Sequence, residues 1–509
     1  MLTPLDYAVL GLYLLGVALV GLRIGGRQQS TKDYFLGSRD LPWWAVSFSV
    51  VATETSTLTV IGIPAVAYGG TLTFFQLTFG YVIGRVIVSF FFLPAYYKGN
   101  LSTAYGFLGS RYGDAMRATA SVTFLVTRLL ADGVRLFATA IPLKLIAEAA
   151  GLSFSYFEII LLIGGVTMIY TFIGGIKAVV WMDVIQMVLY VGGAVFAVVL
   201  LLGVVPAGWW AEAVAAGKAQ VFDFGGEPFL PYLLTQPYTF ITAVVGGAIF
   251  SMASHGTDQL IVQRLLTCRT ERDSQKALMG SGLMVMAQFA LFLLVGLLLW
   301  VYYQGAPLEA LGLTRGDEIF PHFIIEGMPP GVSGLMLAGI LAAAMSTLSS
   351  SLNALASSTM MDLYERLGGR PLTEARALQV SRYMTLFWGV VFIAFANLFE
   401  NQQNPVVELG LAIASFTYGG LLGVFLLGLV NKRTRQPDAM VAFLITIVTM
   451  VWIIFGVWYS PDTGWQLVFN PTDQAIATAG LRSLAWPWYT TIGAAITLAL
   501  GSLMGLRHR

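Results

Sequence analysis

Chemistry in this chain would have to come from hydroxyl, carboxylate and guanidinium groups set inside apolar sequence. The stretch Ala52-Thr53-Glu54-Thr55-Ser56-Thr57-Leu58-Thr59 interrupts a hydrophobic run with polar residues, one of them ionisable, and is followed by Gly62 and Pro64. Proline lacks a backbone donor and disturbs the turn before it, so a broken helix is expected here, and a broken helix frees carbonyl oxygens to coordinate a cation. A second interruption follows Gly246-Gly247 and holds Ser251, Ser254, His255, Gly256, Thr257, Asp258 and Gln259; Asp258 reads as the solvated end of that run. In a third, Ala343, Ser346, Thr347 and Ser350 stand at i, i+3, i+4 and i+7 and share one helical face. Such a row of hydroxyls suits a hard cation such as Na⁺, by the oxygen-ligand logic of Ca²⁺ sites, although small residues also line ordinary contacts between membrane helices. Asp183 lies in another apolar run, and Arg128, Asp132 and Arg135 occupy i, i+4 and i+7 of a further one. Intramembrane charges pair with one another or line a water-filled path. Covalent chemistry has little to work with. His255 beside Ser254 is the one nucleophile–base candidate, and adjacent residues of a helix do not face each other.

The elements that must position these groups are membrane spans. The 509 residues are 57% hydrophobic and only 11% charged, where a soluble chain carries about 25% charge. A span needs about 20 apolar residues. Runs of that kind fall near 5–24, 44–67, 71–97, 118–150, 155–175, 178–205, 236–262, 277–304, 331–363, 378–400, 404–430, 439–459 and 486–506. This predicts about thirteen transmembrane helices in one all-α membrane domain covering 1–509, with no cleaved leader before the first. The two interrupted runs lie five spans apart, as in carriers built from inverted repeats. Lys and Arg gather on cytoplasmic loops. Segments such as Arg23–Arg39, Arg264–Lys276, Arg366–Arg382 and Lys432–Arg435 therefore fall inside, while the sparser Lys218, Arg315 and Arg482 fall outside. The N-terminus is then outside and the C-terminus in the cytoplasm. Net charge of +1 gives no reason for a nucleic-acid partner, and a single cysteine, Cys268, excludes an internal disulfide.

On particular motifs the chain resembles the sodium:solute symporter family, which includes proline, sialic acid, sugar, iodide and pantothenate symporters. The resemblance rests on Asp33-Tyr34-Phe35-Leu36-Gly37 through Leu41-Pro42-Trp43-Trp44, on Thr257-Asp258-Gln259 with Val262-Gln263-Arg264, and on Ala342-Ala343-Ala344-Met345-Ser346-Thr347 running to Asn353 and Met361-Asp362-Leu363-Tyr364. It implies a five-plus-five inverted repeat of the leucine-transporter type. The extra first helix would be 5–24, the repeats about 44–205 and 236–430, and the extra C-terminal helices about 439–506. By the same resemblance a sodium ion would be held by carbonyls of Ala52 and Thr55 and by Ala343, Ser346 and Thr347. A second would be held by Asp183, Ser346, Ser349 and Ser350. Substrate contacts would come from Glu54, Ser56 and Thr59 on the broken helix, and from Ser251, Ser254 and His255 near the inner gate. Gln76 and Thr78 match the helix on which sugar members hold their solute, and Arg135 stands beside the place of an Arg that meets the carboxylate of sialic acid.

These readings imply a sodium-coupled symporter, not an enzyme, that imports a small polar organic solute by alternating access in the cell (plasma or inner) membrane. Its partners would be the solute, Na⁺ and the lipid bilayer; it would need no cofactor and work as a monomer. A proton-coupled carrier on the same scaffold is the alternative suggested by Glu54 and Asp183, and a membrane receptor or sensor a more distant one. Amino acids, monocarboxylates, sugar acids and vitamins all fit the residue types of the cavity.

Overall fold

A computed structural model of the chain describes residues 2–24, 28–149, 151–366, 372–399 and 406–508. Arg27, Arg370 and Arg509, and the first residues of the run expected at 404–430, lie outside the described residues.

Every apolar run carries helix. In chain order these are α1 (Pro4–Ile24), α2 (Trp43–Glu54), α3 (Thr57–Gly69), α4 (Gln76–Phe91), α5 (Asp114–Ala149), α6 (Tyr156–Val204), α7 (Gly247–Gly256), α8 (Gln259–Leu265), α9 (Glu271–Tyr302), α10 (Val332–Ser358), α11 (Glu374–Ala396), α12 (Val406–Val430), α13 (Gln436–Gly456) and α14 (Pro487–Gly505). Among the described residues seven helices are long and apolar enough to cross a membrane, and the bent pair α2–α3 makes an eighth. Straight, the 49 residues of α6 would extend about 74 Å, more than twice the hydrocarbon core of about 30 Å. Gly175 breaks it, with φ 56° and ψ −157°. A side chain is excluded there twice over, because a Cβ would also fall 2.6 Å from the carbonyl oxygen of Tyr34.

Burial separates the scaffold from the lipid-facing shell. In the run Val332–Tyr364, which contains α10, 89% of the residues in the most apolar window are buried, against only 17% in that of α1. α10 is thus the central post, flanked by α6, α5 and the α2–α3 pair, while α1, α11 and α13 turn exposed leucine, isoleucine and valine outward. The first helix is nevertheless tied to the post. Asp6 accepts hydrogen bonds at 2.8 Å from the backbone nitrogens of Gly331 and Gly334, at the start of α10.

Two breaks interrupt the spans at polar positions. α2 and α3 meet at a 65° bend, placed at Thr55–Ser56 and not at Pro64, which sits within α3. Proline's lost donor is tolerated inside α3, whereas the hydroxyl- and carboxylate-rich residues find partners on other helices and release the backbone. α7 ends at Gly256, and Asp258 starts α8 by accepting from the Leu260 nitrogen at 2.8 Å.

The all-α expectation needs one correction. The segment after α13 forms a small antiparallel sheet of β1 (Val457–Ser460), β2 (Gly464–Leu467) and β3 (Arg482–Ser483) in the order β2–β1–β3. Val457, Trp458 and Tyr459 favour strands, and pairing satisfies their backbone once the chain leaves the helical layer. Beyond the sheet, α14 packs along α12 through small residues. A Cβ on Gly419 would lie 2.7 Å from the Cα of Gly493, one on Gly423 2.4 Å from Thr497, and one on Gly501 2.4 Å from Leu427.

Candidate functional site

At the bend, the last backbone bond of α2 runs from the Thr55 nitrogen to the Val51 oxygen, at 2.9 Å. The final four carbonyls of a helix have no partner within it, which leaves those of Ala52, Thr53, Glu54 and Thr55 free of the ladder. Two hydrogen bonds pin this break against α10: Thr53 Oγ1 to Ser350 Oγ at 3.1 Å, and Thr57 Oγ1 to the Ile340 carbonyl at 3.2 Å. Residues 53 and 57 straddle the break, and 340 and 350 straddle 343–347. The hydroxyls on that face already have acceptors for their protons. Thr347 donates to the Ala343 carbonyl at 3.2 Å and Ser346 donates to Asp183 Oδ1 at 2.6 Å, so both keep their oxygen lone pairs. From α9, Gln288 Nε2 donates to Thr55 Oγ1 at 2.7 Å and holds the bend from behind.

The residues expected to hold a second ion differ in charge. Asp183 is fully buried and receives Ser346 on one oxygen and Ser49 on the other, the latter at 2.5 Å. Arg264 of α8, also fully buried, reaches within 3.6 Å of the same carboxylate. Its other donors go to Ser350 Oγ, to Ser49 Oγ at 3.0 Å and to the Leu260 carbonyl at 2.6 Å. Ser349 turns back to the Ser346 carbonyl at 3.0 Å. One carboxylate here already has one guanidinium. The charge pattern of the sequence assigned Arg264 to a cytoplasmic loop; the structure places it in the core.

Beyond the break lies a cavity with Glu54, Ser56, Thr59, Arg135, Ser254 and His255 on its polar wall and Phe74, Tyr81, Phe250 and Phe289 on its apolar one. Glu54 is ion-paired with Arg85 of α4, a fully buried residue that also donates to Ser281 Oγ at 2.8 Å. The His255 Nε2 stands 3.6 Å from the same Glu54 oxygen, and its Nδ1 meets Ser254 Oγ at 2.8 Å. Adjacent helix residues therefore do meet here, contrary to the helical-spacing argument, because the imidazole folds back along the helix axis. Arg135, partly exposed to the cavity, contacts Asp132 at 3.2 Å.

Three of the expected substrate residues lie elsewhere. Gln76, at the first turn of α4, binds the carbonyls of Thr73 and Tyr238 and accepts from the Asp223 nitrogen, so it ties down a loop. Thr78 is buried and donates to the Phe75 carbonyl at 2.7 Å. Ser251 lies behind the wall and donates to the Tyr81 carbonyl at 3.1 Å. Helical phase turns all three away from the cavity. Asp258 is likewise no solvated end: it is 1% exposed, pairs with Arg128, and accepts from Tyr418 Oη at 2.6 Å. With Asp132, which accepts from Ser351 at 2.5 Å, these residues link α5, α8, α10 and α12 in one buried ion network. Arg85 and Tyr81 are not among the residues expected from the sequence. A lone arginine midway through the run 71–97 was the available signal for the first.

Several known proteins resemble the chain along most of its length. It is 30% identical to the sodium/iodide cotransporter of Homo sapiens over 491 residues, covering 93% of this chain and 73% of that one. It is 30% identical over 450 residues to a sodium/sialic acid symporter of Aliivibrio fischeri, covering 88% and 87%. A solved Na⁺-coupled sialic acid symporter in a substrate-bound outward-open state superposes with a TM-score of 0.82 at 25% identity, over all of this chain and 98% of the other. A nucleobase-cation-symport-1 family transporter shares the fold, at a TM-score of 0.53 and 13% identity. Residues 34–446 match the sodium:solute symporter family; the chain belongs to that family, and is a membrane-spanning, sodium-coupled symporter.

Proposed function

We propose that sodium binds between the carbonyls of Ala52, Thr55 and Ala343 and the hydroxyls of Ser346 and Thr347, and that a small polar organic solute occupies the adjoining cavity. One observation carries this reading: the paired hydrogen bonds Thr53–Ser350 and Thr57–Ile340 that hold the freed carbonyls of the break opposite the 343–347 face. Sodium there joins the α2–α3 pair to α10, and it drives transport to the extent that it binds one conformation better than the other. The solute meets Glu54, Ser56, Thr59, Arg135, Ser254 and His255, with Arg85 holding the Glu54 carboxylate in place. A second sodium at Asp183, Ser346, Ser349 and Ser350 requires Arg264 to withdraw from the carboxylate, because the pair is already neutral.

In this reading the whole chain is one domain of thirteen spans, with α1 outside the two inverted repeats at 44–205 and 236–430, and with the N-terminus external, the C-terminus cytoplasmic and the monomer functional. The two broken spans, α2–α3 and α7–α8, support the repeat. Entry of one net charge couples to the membrane potential by about 2.3 kcal/mol per 100 mV, so uptake of a neutral solute with one sodium is electrogenic.

The test pairs a solute panel with Thr347→Ala. In thermal-shift measurements the solute stabilises the protein in sodium and not in potassium. Thr347→Ala raises the sodium concentration for half-maximal uptake by at least fivefold. Unchanged sodium dependence in that variant removes the assigned ligand set.

A further inference from the structure

At the end of the molecule that carries its C-terminus, a hollow opens between the last turns of α12 and α14. Its walls are Val430, Lys432, Arg433, Ser502, Leu503 and Leu506. The composition is divided. Val430, Leu503 and Leu506 are 73%, 63% and 50% exposed, an apolar lip on two membrane helices, whereas Lys432 and Arg433 stand exposed at the point where α12 leaves the apolar layer. Among the described residues neither cation makes an ion pair. The acid beside them, Asp438, is already engaged by His508 Nε2 at 2.9 Å and by the Arg435 nitrogen at 3.0 Å. Lys432 and Arg433 also border a second hollow that adds Arg111, Arg435 and His508.

The rim is built and not merely decorated. Arg111 reaches from the short helix before α5 to the carbonyls of Asn431 and Thr434, at 2.8 and 3.1 Å, and fixes the turn that presents the two cations. Thr434 Oγ1 donates to the Gly501 carbonyl at 3.1 Å, and Asn431 Nδ2 to Ser502 Oγ at 3.3 Å, tying that turn to α14. Gly505 lets the turn approach, since a Cβ there would lie 3.0 Å from Thr434 Oγ1.

We propose that this hollow binds an anionic phospholipid, with the phosphate held by Lys432 and Arg433 and an acyl chain laid against Val430, Leu503 and Leu506. A free anion would use the cations and leave the lip bare; a zwitterionic lipid would use the lip and set its own cation against Lys432 and Arg433. The anionic lipid matches both walls. Basic residues at a membrane surface each strengthen anionic-lipid binding roughly fivefold, so the pair contributes more than tenfold.

The experiment uses the full chain in detergent, titrated with phosphatidylglycerol, phosphatidylcholine or inorganic phosphate and read by native mass spectrometry and thermal shift. The expected result is retention of, and stabilisation by, phosphatidylglycerol alone. That retention falls at least tenfold in K432Q/R433Q but stays within twofold in K32Q/K98Q, which removes two exposed lysines elsewhere. Sodium-dependent stabilisation by solute is unchanged in K432Q/R433Q, which separates this test from the coupling mechanism. Equal binding of phosphatidylcholine, full competition by inorganic phosphate, or an equal loss in K32Q/K98Q overturns the proposal.

Discussion

Replacing Arg264 by Gln turns the relation between Asp183 and sodium into a stability measurement. The guanidinium lies 3.6 Å from the carboxylate and both side chains are fully buried. At an effective dielectric constant of about 20, two unit charges at that separation attract by roughly 4–5 kcal/mol. Removing one member of a buried pair costs about 3–5 kcal/mol in measured cases. Glutamine returns one hydrogen bond of about 1 kcal/mol to Ser49 or Ser350, so the variant loses about 3 kcal/mol when no cation replaces the guanidinium. A sodium ion that takes its place at a hundred times its dissociation constant restores about 2.7 kcal/mol. The assay is thermal or denaturant unfolding in sodium and in potassium chloride at equal ionic strength. The sodium-minus-potassium difference grows by about 2–3 kcal/mol in Arg264→Gln relative to the parent, and Asp183→Asn in the same molecule abolishes the increment. If Arg264→Gln is equally destabilised in both salts, Asp183 does not bind sodium and the second ligand set is refuted.

Arg85→Met leaves Glu54 at the wall of the cavity without its guanidinium and with only His255 near it; uptake and folded yield fall at least tenfold, and adding Glu54→Gln recovers the yield, as read by size-exclusion profiles and transport in vesicles. Gly296→Ala places a Cβ 2.1 Å from the Pro64 carbonyl, where α9 crosses α3, and lowers stability by about 1–3 kcal/mol in detergent melts; unchanged melting would show that the crossing yields.

That the run 44–67 is broken was legible in the sequence, since a packed cluster of hydroxyls and a carboxylate has no place against lipid, but proline is not the cause: the bend falls at Thr55–Ser56 and Pro64 stays within α3. That Ala343, Ser346, Thr347 and Ser350 share one face of α10 was legible because i, i+3, i+4, i+7 spacing defines a direction without reference to any other helix. What the sequence withheld were pairings between helices. Asp258 and Arg264 sit six residues apart in a polar segment that reads as a cytoplasmic end, yet each is buried against an ion on another helix. Local charge density could not reveal this, since the partners Arg128 and Asp183 are remote in sequence. Arg85 was hidden for the opposite reason, being a single charge in a long apolar run whose partner Glu54 looked free. Gln76 and Thr78 lay on the right helix, but which of its faces meets the cavity is decided by how α4 packs on α7. Here Gly80 and Gly84 lie against the backbone of α7 and of the turn before it, which turns Tyr81 and Arg85 inward.

The glycine seam between α12 and α14 has a mechanical consequence. Two helices whose backbones touch through Gly419 and Gly493, with Gly423 and Gly501 closing the contact further along, cannot slide or separate without opening voids that no side chain can fill. Whatever tilt α12 undergoes as the cavity changes sides is therefore carried rigidly into α14. The notch at their common end would then move with the pair as one body and keep its shape.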